Sequence, residues 1–177
     1  MILTETRLNG AFVVSPERHA DFRGYFARTF CEREFADRGL KTHFVQSSVS
    51  YNQRKGTLRG MHFQAHPRQE TKLIRCTRGA IFDAIIDLRP DSFTYKQHFA
   101  LELSAQNGEA LYVPEGFAHG FQTIEDETEV SYQMTEFFAP ELARGVRWDD
   151  PAFQIVWPEA DARVILERDR NYPLFAD

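Results

Sequence analysis

Short apolar runs separated by turn residues fill most of the chain, and they set the expected fold. In each run, apolar and β-branched residues mix or alternate with polar ones, as is typical of strands. The predicted strands are Gly10–Val14, Gly24–Phe30, His43–Ser50, Thr57–Phe63, Lys72–Thr77, Ala80–Leu88, Lys96–Leu103, Ala110–Val113, Gly120–Ile124 and Glu129–Thr135. Turn residues such as Arg78-Gly79 and Asn107-Gly108 lie between them. Many short strands at a spacing of about ten residues predict a sandwich or a barrel.

Helical signals are few. Glu32–Arg38 is predicted to form one short helix that ends at Gly39. The tail, Arg147–Pro173, is expected to wrap irregularly, with a short turn or helix around Val164–Asp169. Because no repeat, linker or low-complexity tract interrupts the pattern, we expect a single domain over residues 1–177.

Composition and charge narrow the class of protein. Apolar residues make up 42% and charged residues 27% of the chain, which is a globular composition. The net charge is -5 and basic residues do not cluster, so nucleic acid is not an expected partner. No run of about 18 apolar residues and no signal peptide are visible, so we expect no membrane partner. Two cysteines, Cys31 and Cys76, are too few for a disulfide framework, and a cytoplasmic location is expected.

One motif has a specific spacing. Gly108, Pro114, Gly116 and His119 form the pattern G-x5-P-x-G-x2-H, in which a strand, a tight turn and a second strand place a histidine at a barrel mouth. This pattern resembles the second motif of the cupin superfamily.

An upstream segment resembles the first cupin motif but lacks part of its metal ligand set. Gly56 is followed by His62, and Gln64 stands where metal cupins carry a second histidine. Catalytic metal sites generally need three firm protein ligands, and an amide is a poor ligand for transition metals. We therefore expect no metal and no cofactor. Two histidines, Lys72 and an arginine converging on one barrel end still favour a binding or catalytic site.

Ordered sequence blocks resemble one family, the dTDP-4-dehydrorhamnose 3,5-epimerases, from about residue 10 to the end. The blocks are Asp21–Phe26, Leu58–Gln64, Lys72-Leu73, Phe82-Asp83, Asp87–Arg89, Pro114–Phe121, Tyr132, Trp148–Pro151, Trp157-Pro158 and Asp169. The resemblance implies an all-β, cupin-type jelly-roll barrel with a few short helices. It also implies a homodimer that binds a nucleotide-diphosphate 4-keto sugar.

The resemblance also implies roles for particular residues. His62 is expected to be the general base, oriented by Asp169, while Lys72 stabilises the oxygen on carbon 4 and Tyr132 is the acid on the opposite face. The implied substrate-binding residues are Arg23, Arg28, Gln46, Ser48, Arg59, His119, Phe138 and Arg168.

The chemistry accounts for these residue types. The carbon-4 ketone acidifies the protons on carbons 3 and 5, and removal of either proton builds negative charge on the carbonyl oxygen. A lysine cation stabilises that enolate where its charge develops. A histidine has a pKa near the operating pH, and a carboxylate partner fixes its tautomer. Inversion needs a second proton donor on the other face, and a tyrosine hydroxyl can serve.

Three departures from the family pattern lie on the nucleotide side. Arg28 replaces an acidic residue, Ser48 replaces an asparagine, and Phe137-Phe138 replaces a tyrosine-containing pair. Because arginine only donates hydrogen bonds, Arg28 would suit the acceptor edge of cytosine or guanine. The alternative is that Arg28 faces solvent or a neighbouring loop and that the base is thymine.

Several other functions stay open at this point. The closest are a single-site epimerase and a 3,4-ketoisomerase on a related sugar nucleotide, possibly CDP- or GDP-linked. A metal cupin oxygenase is a different class, and Gln64 counts against it. A non-catalytic sugar-binding cupin is a third, and it would have lost the acid–base set that this chain keeps.

Overall fold

Strands account for most of the regular structure. The computed structural model describes residues 1–175, with two short α-helices and a 3₁₀ turn at Pro140–Leu142. The strands are β1 (Ile2–Glu5), β2 (Phe12–Ser15), β3 (His19–Asp21), β4 (Gly24–Phe26), β5 (Gln46–Asn52), β6 (Thr57–Gln64), β7 (Lys72–Arg78), β8 (Ala80–Asp87), β9 (His98–Ser104), β10 (Ala110–Val113), β11 (Phe117–Thr123), β12 (Thr128–Met134), β13 (Ala143–Gly145) and β14 (Val164–Ile165). The helices are α1 (Glu32–Ala36) and α2 (Glu167–Arg170).

Two sheets carry the architecture. The first has the strand order β1-β2-β10-β7-β12-β5, and the second has the order β13-β6-β11-β8-β9. Every pairing within these orders is antiparallel, and β14 adds to β6 in parallel. Strands β3 and β4 form a separate hairpin. Neighbours that are distant in sequence, such as β2 and β10, give the interleaved connections of a jelly roll.

The main core lies between the two sheets. Alternate residues of each strand point inward, because side chains along a strand alternate between its faces. The buried inward residues include Ile74, Cys76, Leu111, Val113 and Val130 from the first sheet and Ile81, Ile85, Leu103, Phe117 and Phe121 from the second. Burying each large apolar side chain contributes about 1.5–3 kcal/mol, so this layer holds the barrel closed.

The outer faces are covered by different segments. Phe35 of α1 packs with Leu73 and Tyr112 on the outer face of the first sheet. Phe153 and Trp157 of the irregular tail pack with Met61 on the second sheet. The tail is also tied down by Asp150, whose carboxylate accepts hydrogen bonds from the amides of Ala152 and Phe175. This wrap brings α2 to one end of the barrel.

Most predicted strands are confirmed, and the differences have local causes. The strand predicted from Gly24 ends at Phe26, and the helix predicted to reach Arg38 ends at Ala36. The strand predicted from Lys96 begins at His98, because Lys96 adopts a left-handed φ of 65°. Strand β11 begins at Phe117, directly after the Pro-Glu-Gly turn, so it starts earlier than the predicted Gly120.

The additional short strands are β1, β3, β13 and β14, all of four residues or fewer. Within residues 1–175, no helix is long and apolar enough to cross a membrane.

Candidate active site

Two adjoining cavities lie at the end of the barrel that α2 covers. The first has a volume of about 470 Å³ and the second about 600 Å³. Four residues line both cavities: His62, Lys72, Tyr132 and Arg168. They come from β6, β7, β12 and α2, so both sheets and the tail contribute to one site.

Ten of the twelve predicted site residues line these cavities. The first cavity gathers Arg59, His62, Lys72, His119, Tyr132, Arg168 and Asp169, and the second adds Gln46, Ser48 and Phe138. Residues separated by more than 100 positions in sequence are therefore placed together by the fold.

His62 and Asp169 form a hydrogen-bonded pair. His62 Nε2 lies 2.8 Å from Asp169 Oδ1, and the aspartate side chain is only 3% exposed. Burial by itself raises the pKa of the Asp169 carboxyl, but the hydrogen bonds from His62, the Gly60 amide and Arg168 outweigh it. The pKa of Asp169 therefore lies below its usual range, and the group is an anion beside the imidazole. Among residues 1–175, no hydrogen bond reaches the other ring nitrogen of His62, Nδ1, and the residue lines both cavities.

A second histidine–aspartate pair lies beside the first. His119 Nε2 is 2.6 Å from Oδ1 of Asp83, whose side chain is fully buried. His119 and His62 are register partners on neighbouring strands β11 and β6. Directly opposite residues of an antiparallel pair have Cβ atoms about 4.5–5.5 Å apart and point to the same face. The two imidazoles therefore stand side by side in the cavity wall.

Tyr132 lies on β12, across the cavity from these strands. Burial raises the pKa of its phenol, and the charge of Asp83 raises it further. Its ring meets the ring of His119 edge to face, with centroids 6.0 Å apart. Tyr132 is thus a neutral phenol that can donate a proton from the side facing the two histidines.

Positive charge surrounds the cavity. Lys72 pairs with Glu70 at 3.1 Å, and both side chains are 13% exposed. Arg59 Nε donates a hydrogen bond to Asn52 Oδ1 at 2.7 Å. Arg168 Nε donates to Asp169 Oδ1 at 3.2 Å, so one guanidinium borders both the His62 pair and the open cavity.

Gln64, which stands where metal cupins carry a second histidine, has a structural role. Gln64 donates hydrogen bonds from Nε2 to the carbonyls of Arg68 and Phe137, and its Oε1 accepts one from the Ala139 amide at 2.8 Å. Its polar atoms are therefore satisfied by backbone groups. Over residues 1–175, no group of three His, Cys, Asp or Glu side chains is arranged to hold a metal ion.

The second cavity is bordered by aromatic rings and amides. Gln46 Oε1 accepts a hydrogen bond from the Phe138 amide at 2.5 Å, which ties β5 to the loop after β12. Tyr172 lies on the same wall, with its ring centroid 6.2 Å from that of His62. This mixture of flat apolar surface and a few polar groups suits an aromatic base and its sugar.

Arg23 and Arg28 are the two predicted residues that do not line the cavities of this chain. Arg23 lies in the exposed β3–β4 hairpin and pairs with Asp21 at 2.6 Å. Arg28 Nη1 pairs with Glu34 Oε1 at 2.9 Å. Residues 19–26 form a hairpin outside the two sheets, and this location carries Arg23 away from the cavity.

Sequence reasoning assigned no role to Asp83 or Tyr172. The role of Asp83 could have been predicted, because this residue interrupts the apolar sequence of β8 and a buried charge needs a partner. Nothing in the sequence pointed to Tyr172, because it follows α2 in a polar stretch whose path depends on the packing of the whole tail.

Similarity to known proteins extends over nearly the whole chain. The family model for dTDP-4-dehydrorhamnose 3,5-epimerase matches residues 5–177. An enzyme of that name from Methanothermobacter thermautotrophicus is 45% identical over 170 residues, covering 95% of this chain and 91% of that protein.

Two solved structures show the same fold. The enzyme from Bacillus anthracis, with TDP and PPi bound, is 40% identical, has a TM-score of 0.94, and is matched over 98% of this chain and 99% of that chain. The enzyme from Legionella pneumophila, in complex with dTDP-4-keto-L-rhamnose, is 29% identical, has a TM-score of 0.92, and is matched over 98% and 92%. The fold is therefore of the cupin type, and the chain belongs to the dTDP-4-dehydrorhamnose 3,5-epimerase family.

Proposed function

We propose that this chain inverts carbons 3 and 5 of dTDP-4-dehydro-6-deoxy-D-glucose and so forms dTDP-4-dehydro-L-rhamnose. The observation that carries the proposal is the His62–Asp169 pair, which faces Tyr132 and Lys72 across one cavity. A base, an acid on another wall and a cation are the three groups that such a double inversion needs.

His62 starts each inversion. Its Nδ1 takes the proton from the carbon next to the ketone, and the electron pair of that C–H bond moves onto the carbon-4 oxygen as an enolate. The resulting imidazolium is stabilised by the anionic Asp169 at 2.8 Å. Groups of this kind typically accelerate proton transfer about 10²–10⁴-fold.

Lys72 supports the enolate. Its ammonium lies on the wall shared by both cavities, where a carbon-4 oxygen between His62 and Tyr132 comes within reach. Glu70 holds the ammonium at 3.1 Å, which restricts where the charge can lie. A fixed cation stabilises charge as it develops without reorganising at the moment of reaction.

Tyr132 completes the inversion. Its hydroxyl gives a proton to the carbon from the face opposite His62, the enolate collapses to the ketone, and a phenolate remains. This division of roles also favours an epimerase over a 3,4-ketoisomerase, because an inversion needs two groups on opposite faces of one carbon.

The two cavities suit the two halves of the substrate. The cationic side chains Arg59 and Arg168 border the first cavity and provide donors for a diphosphate. Gln46, Ser48 and Phe138 line the second cavity and provide a place for the nucleoside. TDP is the ligand named for the Bacillus anthracis relative. Because Glu34 already neutralises Arg28, we take thymine as the base in this chain.

We further propose that the enzyme is a homodimer. The β3–β4 hairpin exposes Phe22 (97%) and Phe26 (73%), and the adjacent Arg23 is a predicted substrate contact that lies outside this chain's own cavities. A second copy would cover the exposed rings and could receive Arg23 at its own site. Light scattering on Phe22→Asp and wild type tests this, with Phe93→Asp as a fully exposed aromatic control. We expect a dimer for wild type and Phe93→Asp and a monomer for Phe22→Asp; a monomeric wild type would contradict the proposal.

The activity is tested by following the sugar directly. Purified enzyme is incubated with dTDP-4-dehydro-6-deoxy-D-glucose, and NMR reads the configuration at carbons 3 and 5. We expect inversion at both carbons, and its loss in His62→Asn. Inversion at only one carbon would make the chain a single-site epimerase, and no inversion by folded enzyme would overturn the proposal.

A further inference from the structure

Asp83 and His119 form a second acid–base pair that the proposed reaction does not use. Asp83 is fully buried on β8, and its second oxygen, Oδ2, has no hydrogen-bond partner within residues 1–175. His119 presents Nε2 to this carboxylate. Within the same described residues, His119 Nδ1 makes no hydrogen bond, and it is not fully buried. His119 also lines the first cavity. The open nitrogen therefore faces the reaction space.

The backbone is shaped to hold this pair against His62. Gly60 has a φ of +131°, and a Cβ built there would lie 2.5 Å from the Gly120 Cα. A Cβ on Gly120 would in turn meet the Met61 sulfur at 2.6 Å. Strands β6 and β11 therefore approach more closely beside His62 and His119 than side chains would allow, and they do so where the pairing register shifts, between His119 and Phe121.

A double inversion creates a need for such a pair. After the first inversion His62 carries an additional proton and Tyr132 has lost one. A substrate that fills the cavity slows the exchange of both groups with bulk water, so within one turnover the site must move one proton before the second inversion can start. Burial raises the pKa of the Tyr132 phenol, so the Tyr132 phenolate is a strong base for that proton.

We propose that His119, supported by Asp83, relays the proton from His62 to Tyr132 between the two inversions. This inference rests on the proposed function. His119 is the cross-strand partner of His62 and is in edge-to-face contact with Tyr132, so it neighbours both the donor and the acceptor.

The relay conserves protons. His119 starts neutral, with its Nε2 proton on the Asp83 side and a lone pair on Nδ1. The His62 imidazolium gives its Nδ1 proton to this lone pair, and His119 becomes an imidazolium beside the Asp83 carboxylate. The same Nδ1 proton then passes to the Tyr132 phenolate. His62 is again a base, Tyr132 is again an acid, and no proton is gained or lost.

The neighbouring charged groups cannot replace His119. Arg59 already donates to Asn52 and does not lose a proton under these conditions. Lys72 is bound to Glu70 and is needed as a cation at the carbon-4 oxygen. Asp83 is itself held by His119 at 2.6 Å and has no direct hydrogen bond to His62 or Tyr132 among residues 1–175, so it supports the imidazole and does not replace it.

The relay is tested by measuring the rates of the first and second inversions separately. Rapid-quench reactions with His119→Gln are run at substrate concentrations close to that of the enzyme, and the quenched sugars are analysed by NMR. We expect one equivalent of singly inverted sugar per active site, formed within about threefold of the wild-type single-turnover rate. Steady-state formation of the doubly inverted product should then fall about 10²-fold.

Two further variants keep the test decisive. Asp83→Asn retains the imidazole but removes the charge behind it, so the same accumulation is expected with a smaller loss of about tenfold. His43→Gln makes the same substitution at an exposed histidine outside both cavities and should behave as wild type. Thermal melting and dTDP binding report on folding and on the nucleotide site of each variant.

The outcomes separate the relay from the proposed function. Equal slowing of both inversions in His119→Gln, or doubly inverted product at the wild-type rate, would overturn the relay while leaving the epimerase intact. Failure of wild type itself to invert either carbon would instead remove the proposed function on which the relay rests.

Discussion

At the scale of single residues, one carboxylate does most to define the site. Asp169 accepts hydrogen bonds from His62, the Gly60 amide and Arg168, although it is almost fully buried. A buried anion that is held by three donors fixes the orientation of the His62 ring. In the proposed reaction, the aspartate would act through the histidine that it holds.

Replacing this carboxylate should reduce turnover and leave binding largely intact. For Asp169→Asn we expect kcat to fall about 10²-fold or more, because an amide cannot stabilise the imidazolium. KM should change much less, since the amide fills the same space. Steady-state kinetics measure both constants, with Glu167→Gln, two residues earlier in the same helix, as the control. A loss confined to KM would contradict the role given to Asp169.

The sequence predicted most of the residues at this site, for a physical reason. His62 and His119 lie in segments that resemble the two cupin motifs, so their convergence followed from the motifs. The roles of Lys72 and the other site residues were implied by the resemblance to the family. Asp83 lacked any assigned role, because its importance depends on a buried pairing with a residue 36 positions away. Arg23 was placed near the substrate by resemblance alone, and within one chain it lies outside the cavities.

At the scale of elements, the pairing of β6 with β11 is the feature that the site requires. These strands carry His62 and His119 as register partners, and they meet through two glycines. A side chain at Gly60 would collide with backbone, which cannot move aside as a flexible side chain can.

Gly60→Ala should therefore destabilise the fold more than an equally strained glycine elsewhere. Gly24 has the same φ of +131°, but a Cβ built there would have nothing within 4 Å. Gly24→Ala therefore measures the cost of the backbone conformation without a steric clash. We expect about 1 kcal/mol for Gly24→Ala and about 3 kcal/mol for Gly60→Ala. Urea unfolding measures both, and equal losses would show that the strands are not in close contact at Gly60.

Strands could be predicted from the sequence where a clear apolar pattern ran between recognisable turn residues. The start of β6, the whole of β10 and the apolar β8 agree with the expected ranges to within a residue, because each alternates or is continuously apolar between clear turn signals. The edge strands β1, β13 and β14 were not predicted. Each has four residues or fewer, and each depends on a neighbouring strand or on the tail.

At the scale of the whole molecule, buried charges link the stability of the barrel to pH. Asp87, at the end of β8, accepts hydrogen bonds from Arg89, Ser92 and Thr94 and so holds the following loop. Burial alone raises the pKa of the Asp87 carboxyl, but these bonds outweigh it and lower the pKa from 3.8 to about 2. Because the folded pKa lies below the ordinary value, the charged form stabilises the fold at higher pH.

This stabilisation should disappear as acid is added. Asp87→Asn is expected to cost about 2 kcal/mol near neutral pH, and the difference from wild type should shrink as pH falls from about 4 towards 2. Urea unfolding across that range measures the difference, with Asp91→Asn on the same loop as an exposed control. A difference that stays constant with pH would show that the Asp87 charge does not stabilise the barrel.

Solvent exchange in Tyr132→Phe tests whether His62 and Tyr132 act on opposite faces of one carbon, as the proposed reaction requires. Wild type, Tyr132→Phe and His62→Asn are each incubated in D2O with dTDP-4-dehydro-6-deoxy-D-glucose, and NMR reads deuterium and configuration at carbons 3 and 5. After incubations long enough for repeated binding and release, we expect deuterium with inversion for wild type, deuterium with retained configuration for Tyr132→Phe, and no deuterium for His62→Asn. Inverted sugar from Tyr132→Phe, or exchange by His62→Asn, would contradict it.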